Sequence, residues 1–259
     1  MNKDTVRQVL VLLSVIATII VNGLATALPI NGKTTGEISD SFDVFFVPAG
    51  YVFSIWGLIY VGLIAYAIYQ LLPAQSQNAD LRGISALFVL SSLANIAWIF
   101  LWHYEFFPLT VVAMTILLLC LIGIYLRLGI GRRKVSTGMR WFVHLPFSIY
   151  LGWITVATIA NVTSLLDYWN WSGWGISAEA WTVIMLAIAT VVGGLVSFRR
   201  GDIAYAAVLV WAFAGIAIKH SDNVVVSAAA WTAVVVTVIF LIIGYWRLRQ
   251  ERRRTALMI

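Results

Sequence analysis

Three apolar segments of this 259-residue chain carry the same kind of polar and aromatic set. The first reads Phe53-Ser54-Ile55-Trp56 with Tyr60, and the second Asn95-Ile96-Ala97-Trp98 with Trp102. The third has Tyr150 and Trp153, then Ala157-Thr158 and Asn161. Residues three, four, seven and eight apart share a helix face, so each set forms one stripe. The chemistry that such stripes support is non-covalent: aromatic walls with a few amide groups suit a flat, largely apolar molecule. A single Asn or Trp of this kind reads as helix packing, where an interhelical hydrogen bond is worth roughly 0.6 kcal/mol on average. Three stripes together point to a pocket, with Phe53, Trp56, Tyr60, Asn95, Trp98, Trp102, Tyr150, Trp153, Ala157 and Asn161 as candidate ligand-binding residues.

The elements that position these residues are membrane helices. The chain is 61% hydrophobic and 11% charged, whereas soluble domains run near roughly 45–50% apolar and about 25% charged. Its apolar runs are continuous instead of alternating, which selects helices over a barrel. A span needs about 20 apolar residues. Eight candidate spans follow: 6–28, 48–72, 83–102, 108–128, 140–166, 179–198, 202–219 and 225–246. The seventh is the shortest and is bracketed by Asp202 and Lys219. Pro48 suits the first turn of the second span.

Charge orients the layout. With both termini cytoplasmic, fifteen of the seventeen basic residues fall inside, and Lys33 and Lys219 remain outside. Cytoplasmic loops carry this Lys/Arg excess. The basic balance therefore reports topology, and nucleic-acid binding is a poor reading. The tail Arg247–Arg254 suits contact with anionic membrane lipid. All three stripes then lie in the outer half of the membrane, beneath a 29–47 loop. Lys3, Arg7 and Ala25-Thr26-Ala27 resemble a secretory signal, but the Val6–Leu28 run exceeds a signal core of roughly 7–15 residues, so the first span is expected to be retained. The external segment 167–178, with Tyr168, Trp169, Trp171 and Trp174, reads as an interfacial aromatic belt or as a lid. Cys120 is the single cysteine and packs as a small apolar residue.

Other chemistry finds little support. No span core holds Asp, Glu, Lys or Arg, which argues against ion-coupled transport. His103, His144 and His220 lack metal-ligand spacing, and no paired carboxylates or nucleophile–base set stands out. His103, near the outer stripe, is the one candidate haem-iron ligand, against an interfacial hydrogen-bonding role. Gly57, Gly62, Ala94, Ala97, Gly152 and Ala157 would let helices approach closely, and Gly123, Gly193 and Gly194 permit helix association such as a homodimer.

The same motifs resemble the translocator protein (TspO/MBR) family, the tryptophan-rich sensory proteins. Pro48-Ala49-Gly50-Tyr51-Val52-Phe53-Ser54-Ile55-Trp56 with Tyr60 is similar to the family's second-helix opening. There Tyr51 replaces the usual Trp, and the Phe-to-Trp spacing is one residue shorter. Asn95-Ile96-Ala97-Trp98 is similar to its third-helix motif, and Trp153, Ala157, Thr158 and Asn161 match its fifth-helix motif position for position. Phe147 stands further from Trp153 than the usual aromatic after the fifth-helix Pro. The resemblance covers about residues 6–166.

It implies an all-α integral membrane protein, with a translocator-like five-helix bundle at 1–166 and a three-helix extension at 167–259 that has no counterpart in the family. It also implies a receptor, sensor or carrier for a porphyrin-like or other flat hydrophobic ligand. A porphyrin or haem would be its ligand, not a required cofactor. An uncoupled small-molecule transporter is the alternative, and a tetrapyrrole-degrading enzyme a third reading that the residues support less. A bacterial cytoplasmic membrane is the expected location.

Overall fold

The computed structural model describes residues 2–28 and 30–257, except for the side chains of 252–257. Arg252, Arg253 and Arg254 of the basic tail thus lie outside the described side chains. Among the described residues there are eight long helices and no strand: α1 (Lys3–Ala27), α2 (Ile55–Leu71), α3 (Ala79–His103), α4 (Phe107–Leu128), α5 (Leu145–Tyr168), α6 (Ala178–Arg200), α7 (Ile203–Lys219) and α8 (Val224–Leu257). Side chains of Asn2, Asn78, Ser177 and Asp202 cap the starts of α1, α3, α6 and α7. These acceptors take N–H groups that have no partner within the helix. Gly129 and Gly201 end α4 and α6 in the left-handed conformation that glycine adopts without penalty.

Seven of the helical segments are long and apolar enough to cross a membrane. The remaining one, α7, has 17 residues, about 25 Å at the helical rise. Its packing explains how so short a segment is stable. Tyr205, Leu209, Ala212, Phe213 and Ile216 are at most 1% exposed. A helix buried among protein neighbours does not depend on lipid to cover its apolar surface.

Helices α1, α3, α4, α5 and α2 close a ring through successive contacts, with α3–α4 the most extensive. Outside the ring, α7 packs against α5, and α6 and α8 pack against α7 and each other. The chain is thus an all-α, multi-pass integral membrane protein. At Gly152, an added Cβ would stand 3.1 Å from both the Tyr205 carbonyl oxygen and Val208 Cβ, so α5 and α7 meet almost backbone to backbone. Asp202 ties the inner end of this junction: its carboxylate accepts from Tyr125 Oη (2.9 Å), Ser148 Oγ (2.7 Å) and the Tyr205 N–H (3.2 Å). The outer end is tied by Trp211 Nε1 donating to the Val52 carbonyl (3.1 Å) and Ala49 N–H donating to that of Gly215 (3.2 Å).

Two local expectations are corrected. Pro48 does not open the second helix. A 3-10 turn, Gly50–Ser54, intervenes before α2 begins. Within the external loop, Thr35–Asp40 forms a short helix with a reciprocal cap between Thr34 and Glu37. Gly57 faces open space and brings no helix close, whereas Gly62 does meet Pro146. Gly123, Gly193 and Gly194 are filled within the chain by Leu87, Leu209 and Phe240.

Candidate ligand pocket

The 3-10 entry to α2 sets the first wall. At three residues per turn, side chains three apart eclipse one another, which compensates for the short Phe53-to-Trp56 spacing. Both rings reach one partner on α5: Trp153 lies edge-on to Phe53 (5.7 Å) and to Trp56 (6.2 Å). On α3, Trp98 stacks on Trp102 at 5.2 Å. These walls enclose a cavity of about 60 Å³.

Seven of the ten sequence-derived candidates line it: Phe53, Trp56, Trp98, Trp102, Trp153, Ala157 and Asn161. Tyr60, Asn95 and Tyr150 stand outside the lining. Tyr60 stacks on Trp56 (5.7 Å) and Tyr150 meets the same ring edge-on (6.1 Å). Asn95 accepts from Asn22 Nδ2 at 2.7 Å, joining α1 to α3. These three residues brace the wall.

The polar groups of the cavity are pre-arranged. Trp98 Nε1 donates to Asn161 Oδ1 (3.0 Å), Asn161 Nδ2 donates to Thr110 Oγ1 (2.8 Å), and Thr110 donates to the Phe107 carbonyl (2.6 Å). This chain links α3, α5 and α4, and uses both ends of the Asn161 amide. Trp153 differs. It is 3% exposed, and its Nε1 is buried with no hydrogen-bond partner among the described residues. An unpaired buried donor costs about 1–3 kcal/mol.

The loop helix closes the outer side through Thr35 and Ser39, with Val47 and Pro48 beside them. It is strapped to the end of α3. Trp102 Nε1 donates to the Thr35 carbonyl (3.3 Å), Asn31 Nδ2 to that of His103 (3.0 Å), and Lys33 pairs with Glu105 (2.6 Å). His103 Nδ1 is 2.8 Å from the Ile99 carbonyl, so it carries the proton, and Nε2 is left to accept from Thr35 Oγ1 at 3.4 Å. Both ring nitrogens are engaged, Nδ1 with its own helix and Nε2 with the loop. Opposite, Lys219 at the end of α7 pairs with Asp40 (2.8 Å). Glu37, accepting the Thr34 N–H, has its carboxyl held below the usual range, first by that backbone bond and then by the Thr34 hydroxyl. Among the described residues, no cluster of three or more His, Cys, Asp or Glu could hold a metal.

The sequence reading missed Asn22, Thr110, Met114, Ser164 and the loop residues Thr35 and Ser39. Asn22 had a signal: an amide within an apolar span, four residues after Thr18. The loop residues had none, because only the fold lays them over the cavity.

A family described as TSPO-like protein matches residues 8–245. The match extends past residue 166, where the motifs end, to include α6, α7 and all but the end of α8. No curated protein and no solved structure matches the chain.

Proposed function

Because this chain belongs to the TSPO-like protein family, we propose that it is a membrane receptor or carrier for a flat, hydrophobic, porphyrin-like ligand. The ligand sits in the cavity between α2, α3 and α5. The observation that carries this reading is the buried, unpaired Trp153 Nε1 on a wall of tryptophan rings. A ligand that stacks on these rings and presents an oxygen to this donor removes its cost. Asn161, fixed at both ends, needs no reordering when the ligand arrives.

The cavity, at about 60 Å³, is well short of the roughly 300–1,000 Å³ of small-molecule sites. A porphyrin does not fit this closed form. Binding therefore includes displacement of the Thr35–Asp40 helix and of the Phe53 and Trp102 rings. The straps on that helix are surface ion pairs and single hydrogen bonds, each worth about 1 kcal/mol, so opening is within reach of binding energy. Transport, in this reading, is passage uncoupled from ions: no charged residue lines the cavity, and the buried Asp202 is already satisfied by three donors. An enzymatic role has no catalytic set to rest on, since His103 is committed to the loop.

The test is titration of the reconstituted protein with protoporphyrin IX, read by tryptophan quenching, beside Trp98→Leu/Trp153→Leu. Saturable quenching lost in the double variant supports the pocket. Unchanged affinity in a folded double variant removes it.

A further inference from the structure

A larger cavity lies at the outer end of the molecule, on the other side of the 43–47 segment. It measures about 290 Å³ and is walled by the end of α5, the start of α6 and the loops that reach them. It exists only because α6 follows α5 there, so it belongs to the junction with the last three helices. Its lining combines two features. Phe45, Phe46, Trp171 and Trp181 supply aromatic surface, and Asp43 and Asp167 supply two carboxylates; none of the fifteen lining residues is basic.

Neither carboxylate has an ion-pair partner among the described residues. Among the described residues, the Asp167 carboxylate accepts only the Asp43 N–H, at 3.3 Å. Seven of the eleven acids lie at the outer end of the chain against two lysines, and both lysines are taken, Lys33 by Glu105 and Lys219 by Asp40. The Thr163 and Thr182 hydroxyls donate to carbonyls of their own helices. Trp181 Nε1 donates to the Gly173 carbonyl (2.8 Å), so its ring offers the cavity carbon surface. Trp171 packs 5.0 Å from Trp181 and 5.2 Å from Trp174, which fixes the aromatic wall. The positive end of α6 reaches the rim at Ala178, but Ser177 caps it and Glu179 stands in its first turn.

From this arrangement, we propose that the α5–α6 junction is a second binding site, for an organic cation. An ammonium group is attracted both to the two carboxylates and to the faces of the tryptophans, and quaternary ammonium ligands are held by such aromatic enclosures elsewhere. The remaining apolar surface takes a short aromatic or aliphatic body. The site is distinct from the first cavity in charge as well as place. Asp43 and Asp167 repel an anionic tetrapyrrole, and the first cavity has no carboxylate to hold a cation.

The probe is benzyltrimethylammonium, titrated calorimetrically into the full chain in nanodiscs of zwitterionic lipid, with benzylsulfonate as the anion of similar shape. Saturable binding of the cation alone is expected, weakened at least tenfold in Asp43→Asn/Asp167→Asn and unchanged in Trp153→Phe. Asn at 167 can still accept the Asp43 N–H, so the fold is expected to hold. Should the double variant nevertheless fail to fold, Ala178→Phe, at an exposed rim position, narrows the mouth and must weaken binding by itself. No saturable heat, equal affinity in the folded carboxylate variant, equal binding of the sulfonate, or loss of binding in Trp153→Phe would each overturn the proposal.

Discussion

Replacing Trp153 by Phe separates the two consequences of an unpaired indole N–H, and they have opposite signs. Without ligand, the wild-type protein carries a buried donor with no acceptor, a cost of about 1–3 kcal/mol. The Trp153→Phe substitution abolishes that cost and keeps a ring against Phe53 and Trp56, while losing contacts made by the larger indole. The two changes are of similar size and oppose each other, so the empty variant should melt close to wild type. With ligand, the variant loses a hydrogen bond. If the acceptor is a carboxylate, that bond is worth roughly 1.5–3 kcal/mol, or about 10- to 150-fold in affinity. Cys120, the single cysteine and 4% exposed, supplies the stability readout, because a thiol-reactive dye reports it only on unfolding. Protoporphyrin quenching supplies the affinity. A variant that melts well below wild type yet binds as tightly would refute the reasoning. It would show that the indole N–H is satisfied in the empty protein and faces no ligand.

Asn161→Ala strands the Trp98 N–H and removes the bond that the Thr110 oxygen accepts, while the Thr110 hydroxyl keeps its bond to the Phe107 carbonyl. We expect a loss of about 1–2 kcal/mol, from interhelical bonds averaging roughly 0.6 kcal/mol each plus desolvated partners, read by the same Cys120 reactivity on heating. At Gly215, an added Cβ overlaps Val52 Cγ2 and stands 3.2 Å from Pro48 Cβ. Gly215→Ala should therefore destabilise by about 1–3 kcal/mol through overpacking, and Val52→Ala in the same chain should restore part of it. No rescue would place the strain elsewhere. Glu37 has a depressed carboxyl, so its contribution to the loop helix is complete above the ordinary carboxylate range and is lost as pH falls through the depressed value. With exchange corrected for its intrinsic pH dependence, protection across 35–40 should fall on acidification in wild type, and Glu37→Gln should abolish that fall.

The local sequence determined the helices, their direction and most of the pocket's composition. Continuous apolar runs leave the backbone one way to satisfy itself in lipid, and the lopsided Lys/Arg distribution sets which ends face in. The stripes on α2, α3 and α5 were legible because a helix converts spacing into a shared face. What the sequence did not contain was which faces meet. Phe53, Trp56, Trp98, Trp102, Trp153, Ala157 and Asn161 share a cavity, while Tyr60, Asn95 and Tyr150, on the same stripes, serve as braces. That division depends on helix rotation and on the 3-10 entry at Gly50–Ser54, both set by packing. The packing of the last three helices is also decided in space: at Gly152 and Gly215 the missing side chains let α7 seat against α5 and the Pro48–Val52 segment. The unpaired Trp153 donor and the carboxylates at the α5–α6 junction likewise appear only in three dimensions. Whether a polar group is satisfied is decided by its neighbours in space, and those come from every part of the chain.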